Sequence, residues 1–257
     1  MDADTTLLEV RNLSKSFSGI VAVDDVSFDI TRGEIVGLIG PNGAGKSTTF
    51  DLLSGFVQPD DGEIRFKSED IGDLEPHERS LKGMTRTFQI TRELVGMSVM
   101  ENMLLAGQQH PGETAIGALL NTQSVRSREA EVRENAERYL KQLDLWPVRD
   151  EYAGNLSGGQ RKLLEIGRAL MTEPDLMMFD EPVAGVNPEL TDRILEQIID
   201  LKEEMGMTFL IVEHDMKVIM SVSDKIVGMH NGEVISEGPP SVVQKDDDLI
   251  DAYLGGV

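Results

Sequence analysis

Two stretches of the 257-residue sequence hold the residue types, at the spacing, that phosphate chemistry requires. Gly40-Pro41-Asn42-Gly43-Ala44-Gly45-Lys46-Ser47 follows the pattern G-x-x-x-x-G-K-S and lies between a compact apolar run at 34–39 and a segment of helical character at 47–53. Glycines let backbone N–H groups turn inward around phosphates, and the following helix offers its positive end. Lys46 then reaches the terminal phosphates and Ser47 offers a hydroxyl to Mg²⁺. The second stretch, Leu176-Met177-Met178-Phe179-Asp180-Glu181, is a hydrophobic strand ending in two carboxylates. Strand ends of a parallel sheet face the ligand, so Asp180 is a candidate Mg²⁺ partner. Glu181 is a candidate acceptor for the proton of a water attacking a γ-phosphate. Alone, Asp180-Glu181-Pro182 reads equally well as a polar strand end; beside Lys46 the chemical reading prevails.

A third stretch, Leu156-Ser157-Gly158-Gly159-Gln160, reads as a capping box that starts a helix. A capped helix start is also an anion site, and two glycines leave its N–H groups open to a γ-phosphate, which a plain cap does not need.

The elements that position these residues follow from periodicity. The segment 7–30 alternates apolar and polar residues around Gly19 and predicts two or three short antiparallel strands. Short strands are expected at 63–66, after the turn Pro59-Asp60-Asp61-Gly62, and at 84–88. Val132, Ala136, Tyr139, Leu140 and Leu143 recur at helical spacing, with Glu129/Arg133, Glu134/Arg138 and Glu137/Lys141 as i,i+4 pairs, so this helix has a solvated charged face. The segment 107–123, rich in Gly, Gln and Thr, predicts a loop or insertion. From Ser157 onward the order is helix to about 171, strand 176–179, a helix with Leu190, Ile194, Ile198, Leu201 and Met205 on one face, strand 208–212, and a short helix after His214. Strands alternating with helices predict a parallel sheet. A hairpin turned by Asn231-Gly232 and a helix around 249–254 close the chain.

Composition narrows the function. Aspartate and glutamate number 46 against 24 lysines and arginines, a formal charge of −22 that nucleic-acid phosphates and anionic lipid would repel. The carboxylates are spread along the whole chain, as expected for a protein of a salty cytosol, where screening is strong. No cysteine is present, and 1–6 is polar and acidic rather than a signal peptide, which fits a reducing, cytoplasmic setting. No apolar run approaches the ~18 residues of a membrane span.

The ordered set of phosphate loop, 156–160 signature, 176–181 strand and following His214 resembles the nucleotide-binding subunit of ABC transporters, over nearly the whole chain. More narrowly, Arg86-Thr87-Phe88-Gln89, Glu181-Pro182-Val183-Ala184-Gly185-Val186-Asn187-Pro188, Glu213-His214-Asp215-Met216 and Ala252-Tyr253-Leu254-Gly255 resemble the ATPases of branched-chain amino acid importers. Asn187 stands where most ABC proteins carry aspartate; its plain role is to cap the helix opening with Pro188.

The resemblance implies an α/β P-loop NTPase (ABC ATPase) core with a mainly parallel sheet, an N-terminal antiparallel β subdomain and an inserted helical subdomain. It implies one ATP-binding domain over 7–254, with the helical subdomain at about 90–165 and a short helical tail at 240–257. Phe17 is then the aromatic that stacks on adenine, Gln89 the Q-loop glutamine that also contacts Mg²⁺, and His214 the switch histidine. Gly40, Pro41, Asn42, Gly43, Ala44, Gly45, Lys46, Ser47 and Thr48 hold ATP, together with Ser157, Gly158, Gly159 and Gln160 of a second ATP-binding subunit. The partners are integral-membrane permease subunits and, indirectly, a solute-binding protein, with no nucleic acid; the location is the inner face of the cell membrane. ATPases for urea import or lipopolysaccharide export have similar tails. Soluble ABC-type ATPases of DNA repair or translation carry coiled-coil insertions, zinc cysteines or two cassettes, and a small-molecule kinase would leave 156–160 and His214 without a role.

Overall fold

The protein is described from a computed structural model, which covers residues 5–87, 94–107 and 123–254, with side chains from 127 onward in the last segment. Its residues group into two compact units: Met1–Arg86 with Asp175–Ala184 and Ile198–Val257, and Thr87–Pro174 with Gly185–Gln197.

The first unit holds two sheets. In the four-stranded sheet, β1 (Thr6–Phe17) and β2 (Ile20–Thr31) form an antiparallel hairpin. Ser18 and Gly19 both have positive φ (49° and 85°), the backbone of a tight two-residue turn. The expected short strands are therefore two strands of 12 residues, and Gly19 marks the turn. Their alternation is interrupted because Asn12 and Asp25 adopt left-handed backbone (φ 50° and 53°) at register shifts, with the Asn12 amide donating to Asp25 at 2.6 Å. Strands β4 (Asp61–Phe66) and β5 (Glu69–Asp70) complete the order β2-β1-β4-β5.

The six-stranded sheet has the order β10-β9-β3-β8-β7-β6. Strands β3 (Ile35–Ile39), β6 (Met84–Arg86), β7 (Leu176–Asp180), β8 (Thr208–Val212) and β9 (Lys225–His230) run parallel, and β10 (Glu233–Gly238) is antiparallel to β9. Every residue of β3 and β8 is buried, which is why both read as continuous apolar runs instead of alternating. The first α-helix, α1 (Lys46–Ser54), follows β3 directly, and α2 (Pro76–Leu81) precedes β6. Phe50, Leu52 and Leu53 of α1 pack into one cluster with Val36, Leu38, Leu176, Met178, Leu210 and residues of both sheets. The phosphate-loop segment is thus anchored at both ends in the core.

The second unit is mainly helical. It holds α3 (Val99–Ala106), α4 (Gln123–Gln142) and α5 (Gly158–Leu170). Val132, Ala136, Tyr139, Leu140 and Leu143 are all buried, as their spacing predicts. Glu137 and Lys141 pair at 2.7 Å, whereas Arg138 donates to Asn135 and to the Tyr139 hydroxyl. Of the predicted loop at 107–123, residues 108–122 lie outside the described residues. Helix α6 (Pro188–Met205) is capped by Asn187, whose side-chain oxygen accepts the Leu190 N–H at 2.9 Å. Helices α7 (Met216–Val222), α8 (Pro240–Val243) and α9 (Asp247–Leu254) belong to the first unit.

Candidate functional site

The loop between β3 and α1 is built around backbone that side chains would obstruct. A Cβ on Gly45 (φ 100°) would stand 2.6 Å from the Ala22 carbonyl, and one on Gly40 would collide with the Met229 carbonyl. Gly45 is also the N-cap of α1, and it supplies no side-chain cap; the first turn carries no carboxylate. The initial N–H groups of the helix therefore face the loop without an acidic competitor. Lys46 is buried, its ammonium folded over the loop to donate to the carbonyls of Gly40 (2.6 Å) and Pro41 (3.0 Å). Burial lowers its pKa, against the opposing pull of the Glu181 carboxylate. Ser47 is exposed on the first turn. The turn of the β9–β10 hairpin supports the loop from below: the Gly232 N–H donates to Ala44 O at 3.0 Å, and Gly232 O accepts from Asp24 N at 2.9 Å.

The carboxylates stand at the ends of neighbouring parallel strands. Asp180 ends β7 with its side chain only 10% exposed, 3.0 Å from Arg86. Burial raises its pKa and Arg86 opposes the rise. Arg86 also donates to Asp51 (2.5 Å) and Ser54 (3.0 Å), and its guanidinium stacks over the rings of Phe50 and Phe56. Glu181 sits in the left-handed region (φ 52°), with its N–H bonded to Val212 O at 2.9 Å. That backbone turn is uncommon for a non-glycine residue and is a form of strain found at functional sites. It aims the carboxylate at His214, whose Nε2 is 2.6 Å from Oε1. Glu213, at the end of β8, is buried; it accepts N–H groups from Val183 (3.1 Å) and His214 (3.2 Å). Burial raises its pKa, and these two hydrogen bonds act against the rise. Asp215 caps α7 through the N–H groups of Lys217 and Val218.

The structure thus brings together the 40–48 loop, Asp180, Glu181 and His214 in one unit. Ser157, Gly158, Gly159 and Gln160 belong to the other unit and form the expected capping box, with Ser157 N to the Gln160 side chain at 2.9 Å and Gln160 N to the Ser157 hydroxyl at 3.3 Å. Nothing lies within 4 Å of a Cβ built on Gly158, so its surface is open to a ligand or partner. A Cβ on Gly159 would stand 2.6 Å from the Leu190 side chain, which would have to shift to admit it. Phe17 ends β1 and is 45% exposed, which excludes a core role; Lys15 lies 5.6 Å from its ring centroid. Gln89 lies outside the described residues. Arg86 and Glu213 are the residues whose roles the sequence did not reveal. Glu213 carried the same signal as Asp180, an acid at the end of an apolar strand.

An uncapped, carboxylate-free helix start beneath a buried lysine fits an anionic phosphate chain. Among the described residues there is no cluster of three or more His, Asp or Glu side chains able to hold a metal alone. Mg²⁺ takes one or two protein ligands and completes its shell with phosphates and water, and the Ser47 hydroxyl and the Asp180 carboxylate are oxygen donors of that kind.

A buried-sheet α/β fold with this loop defines a P-loop nucleotide-binding protein. The profile of the ABC transporter family matches residues 23–184. The chain belongs to that family, and it is an ATPase using ATP with Mg²⁺. It is 41% identical to the high-affinity branched-chain amino acid transport ATP-binding protein BraF of Pseudomonas aeruginosa, over 97% of this chain and 98% of that protein. The crystal structure of the ADP conformation of MJ1267, an ATP-binding cassette of an ABC transporter, superposes with a TM-score of 0.83 at 39% identity, covering 97% of this chain and 99% of that one. The dimeric post-hydrolysis state of the ATP-binding cassette MJ0796, bound to ADP and Pi, gives 0.71 at 26% identity, covering 91% and 99%.

Proposed function

We propose that this chain is the ATP-hydrolysing subunit of an importer for branched-chain amino acids and works from the cytoplasmic face on separate integral-membrane permeases fed by a solute-binding protein. The supporting observation is end-to-end likeness to BraF, including the tail beyond the family profile. Among the described residues no helix is long and apolar enough to cross a membrane, in keeping with separate permeases. One ATP-binding domain spans 7–254 in this reading, with a helical subdomain at about 90–165 and a tail at 240–257.

In this reading Lys46 and the loop 40–48 hold the phosphates, Phe17 faces adenine, and Ser47, Asp180 and Gln89 would hold Mg²⁺. When bound, Mg²⁺ would neutralise charge on the phosphates. Glu181 takes the proton of the attacking water, and His214, 2.6 Å away, holds that carboxylate in place. Ser157, Gly158, Gly159 and Gln160 serve the ATP of a second ATP-binding subunit in a head-to-tail dimer; the exposed Ser157 and the open face of Gly158 support this role. The dispersed acidic surface suits a salty cytosol.

The test is purification of the full chain with its membrane partners, reconstitution in vesicles, and ATP-dependent uptake of labelled leucine, isoleucine and valine. Uptake supports the assignment. Transport of urea, export of a lipid, or a chain that purifies with no membrane subunit overturns it.

A further inference from the structure

The C-terminal motif Ala252-Tyr253-Leu254 has no part in the chemistry above, yet it reaches the phosphate loop. Ile39 is the last residue of β3 paired to β9, opposite Gly228. At Gly40 the chain leaves the sheet, and its N–H donates to the Tyr253 hydroxyl at 2.8 Å. The carbonyl of the same residue accepts the Lys46 ammonium at 2.6 Å. One residue therefore joins the tail helix on its N–H side to the phosphate-binding lysine on its carbonyl side.

The helix that presents Tyr253 is itself docked. Leu249 and Ala252 of α9 are buried, and Leu249 packs over Gly228, where an added Cβ would stand 3.0 Å from it. Asp246 accepts the Ser236 hydroxyl of β10 at 2.7 Å and the N–H groups of Asp248 and Leu249, which fixes where α9 begins. Between helix and loop lies a cavity of about 700 Å³, lined by Pro41, Asn42 and Ala44 on one side and Asp248 and Asp251 on the other. Across that gap the tyrosine hydroxyl bonds the helix to the loop at the Gly40 N–H. Burial raises the phenol's pKa, so the hydroxyl stays uncharged at neutral pH.

We propose that Tyr253 is a positioning residue for the phosphate loop, through which docking of the C-terminal helix sets ATP affinity. The inference rests on reading the 40–48 loop as the phosphate site. Tyr253→Phe removes the hydroxyl and keeps the ring. With a fluorescent ATP analogue and the full chain, the dissociation constant should rise about two- to tenfold, the worth of one hydrogen bond. The KM for ATP should rise in step, with kcat at saturating ATP unchanged and the melting temperature lowered by no more than the few degrees that one lost hydrogen bond costs. Unchanged nucleotide affinity overturns the proposal, as does a fall of kcat in parallel with affinity, which would mean a general structural role. Lys46→Ala is the control: if it abolishes binding while Tyr253→Phe leaves binding untouched, the tyrosine inference alone fails. If Lys46→Ala also leaves binding untouched, the reading of the loop fails and the tyrosine inference falls with it.

Discussion

Glu181 combines a strained backbone, a half-open carboxylate and a histidine at 2.6 Å. An amide in its place keeps the size but cannot accept a proton. Glu181→Gln should therefore bind ATP as the parent does and hydrolyse it roughly 10²–10⁴-fold more slowly, the usual worth of a general base. Single-turnover hydrolysis beside equilibrium binding measures both, and turnover at the parent rate would remove the role. That Lys46, Ser47, Asp180, Glu181 and His214 fall in one unit was legible in the sequence because each sits at a fixed offset from a glycine loop or a strand end. Glu213 carried the same strand-end signal, but its work was not legible: the Val183 N–H it accepts, thirty residues earlier, comes within reach only because β7 pairs beside β8. Arg86 stayed hidden for the same reason, since Asp180 meets it only once β6 lies against β7, and Asp51 only once α1 packs beside β6.

At the scale of elements, helix α1 is held at its far end by a buried cation. Arg79 of α2 is 1% exposed and donates to the carbonyls of Leu52 and Leu53 in the last turn of α1, and to those of Gly72 and Leu74. Burial pulls its pKa down to about 10, so at neutral pH it remains a cation at the negative end of the helix dipole. Replacing it with methionine leaves buried carbonyls without donors and should cost about 3–5 kcal/mol. In a chain of this size that is roughly 10 °C in melting temperature by calorimetry, and a shift below about 2 °C would refute the capping role. Elements with strong local signals were legible: Asn231-Gly232 has the two positive φ angles its residue types favour (49° and 90°), and the spacing from Val132 to Leu143 named a buried face. The Lys67-Ser68 turn makes a similar hairpin (φ 52° and 64°) without glycine, so β5 gave no sign. Likewise the eight-residue α3 owes its start to the Ser98–Glu101 capping box in a stretch too short for periodicity to mark.

At the scale of the whole molecule, the net charge of −22 makes self-repulsion a direct cost of folding at low ionic strength. The melting temperature and ATPase rate should both rise between dilute buffer and 1 M KCl, where the Debye length is about 3 Å. Equal values in both would show that the acidity is unrelated to salt. Order along the chain and the parallel sheet were legible because β3, β7 and β8 are short apolar runs separated by helices. The arrangement of the strands, with β3 between β8 and β9, was not, since nothing local records which strand is a neighbour. The β9–β10 hairpin also bears on where the chain tolerates insertion. Hairpin tips usually accept extra residues, being exposed and remote from the core. Here Gly232 bonds both Ala44 of the phosphate loop and Asp24 of β2, so its turn is a rivet between the loop and the antiparallel sheet. An epitope tag placed between Asn231 and Gly232 should abolish ATP binding, whereas the same tag between Lys67 and Ser68 should leave it intact. For anyone labelling, splitting or permuting this protein, the turn that looks most expendable is the one to leave closed.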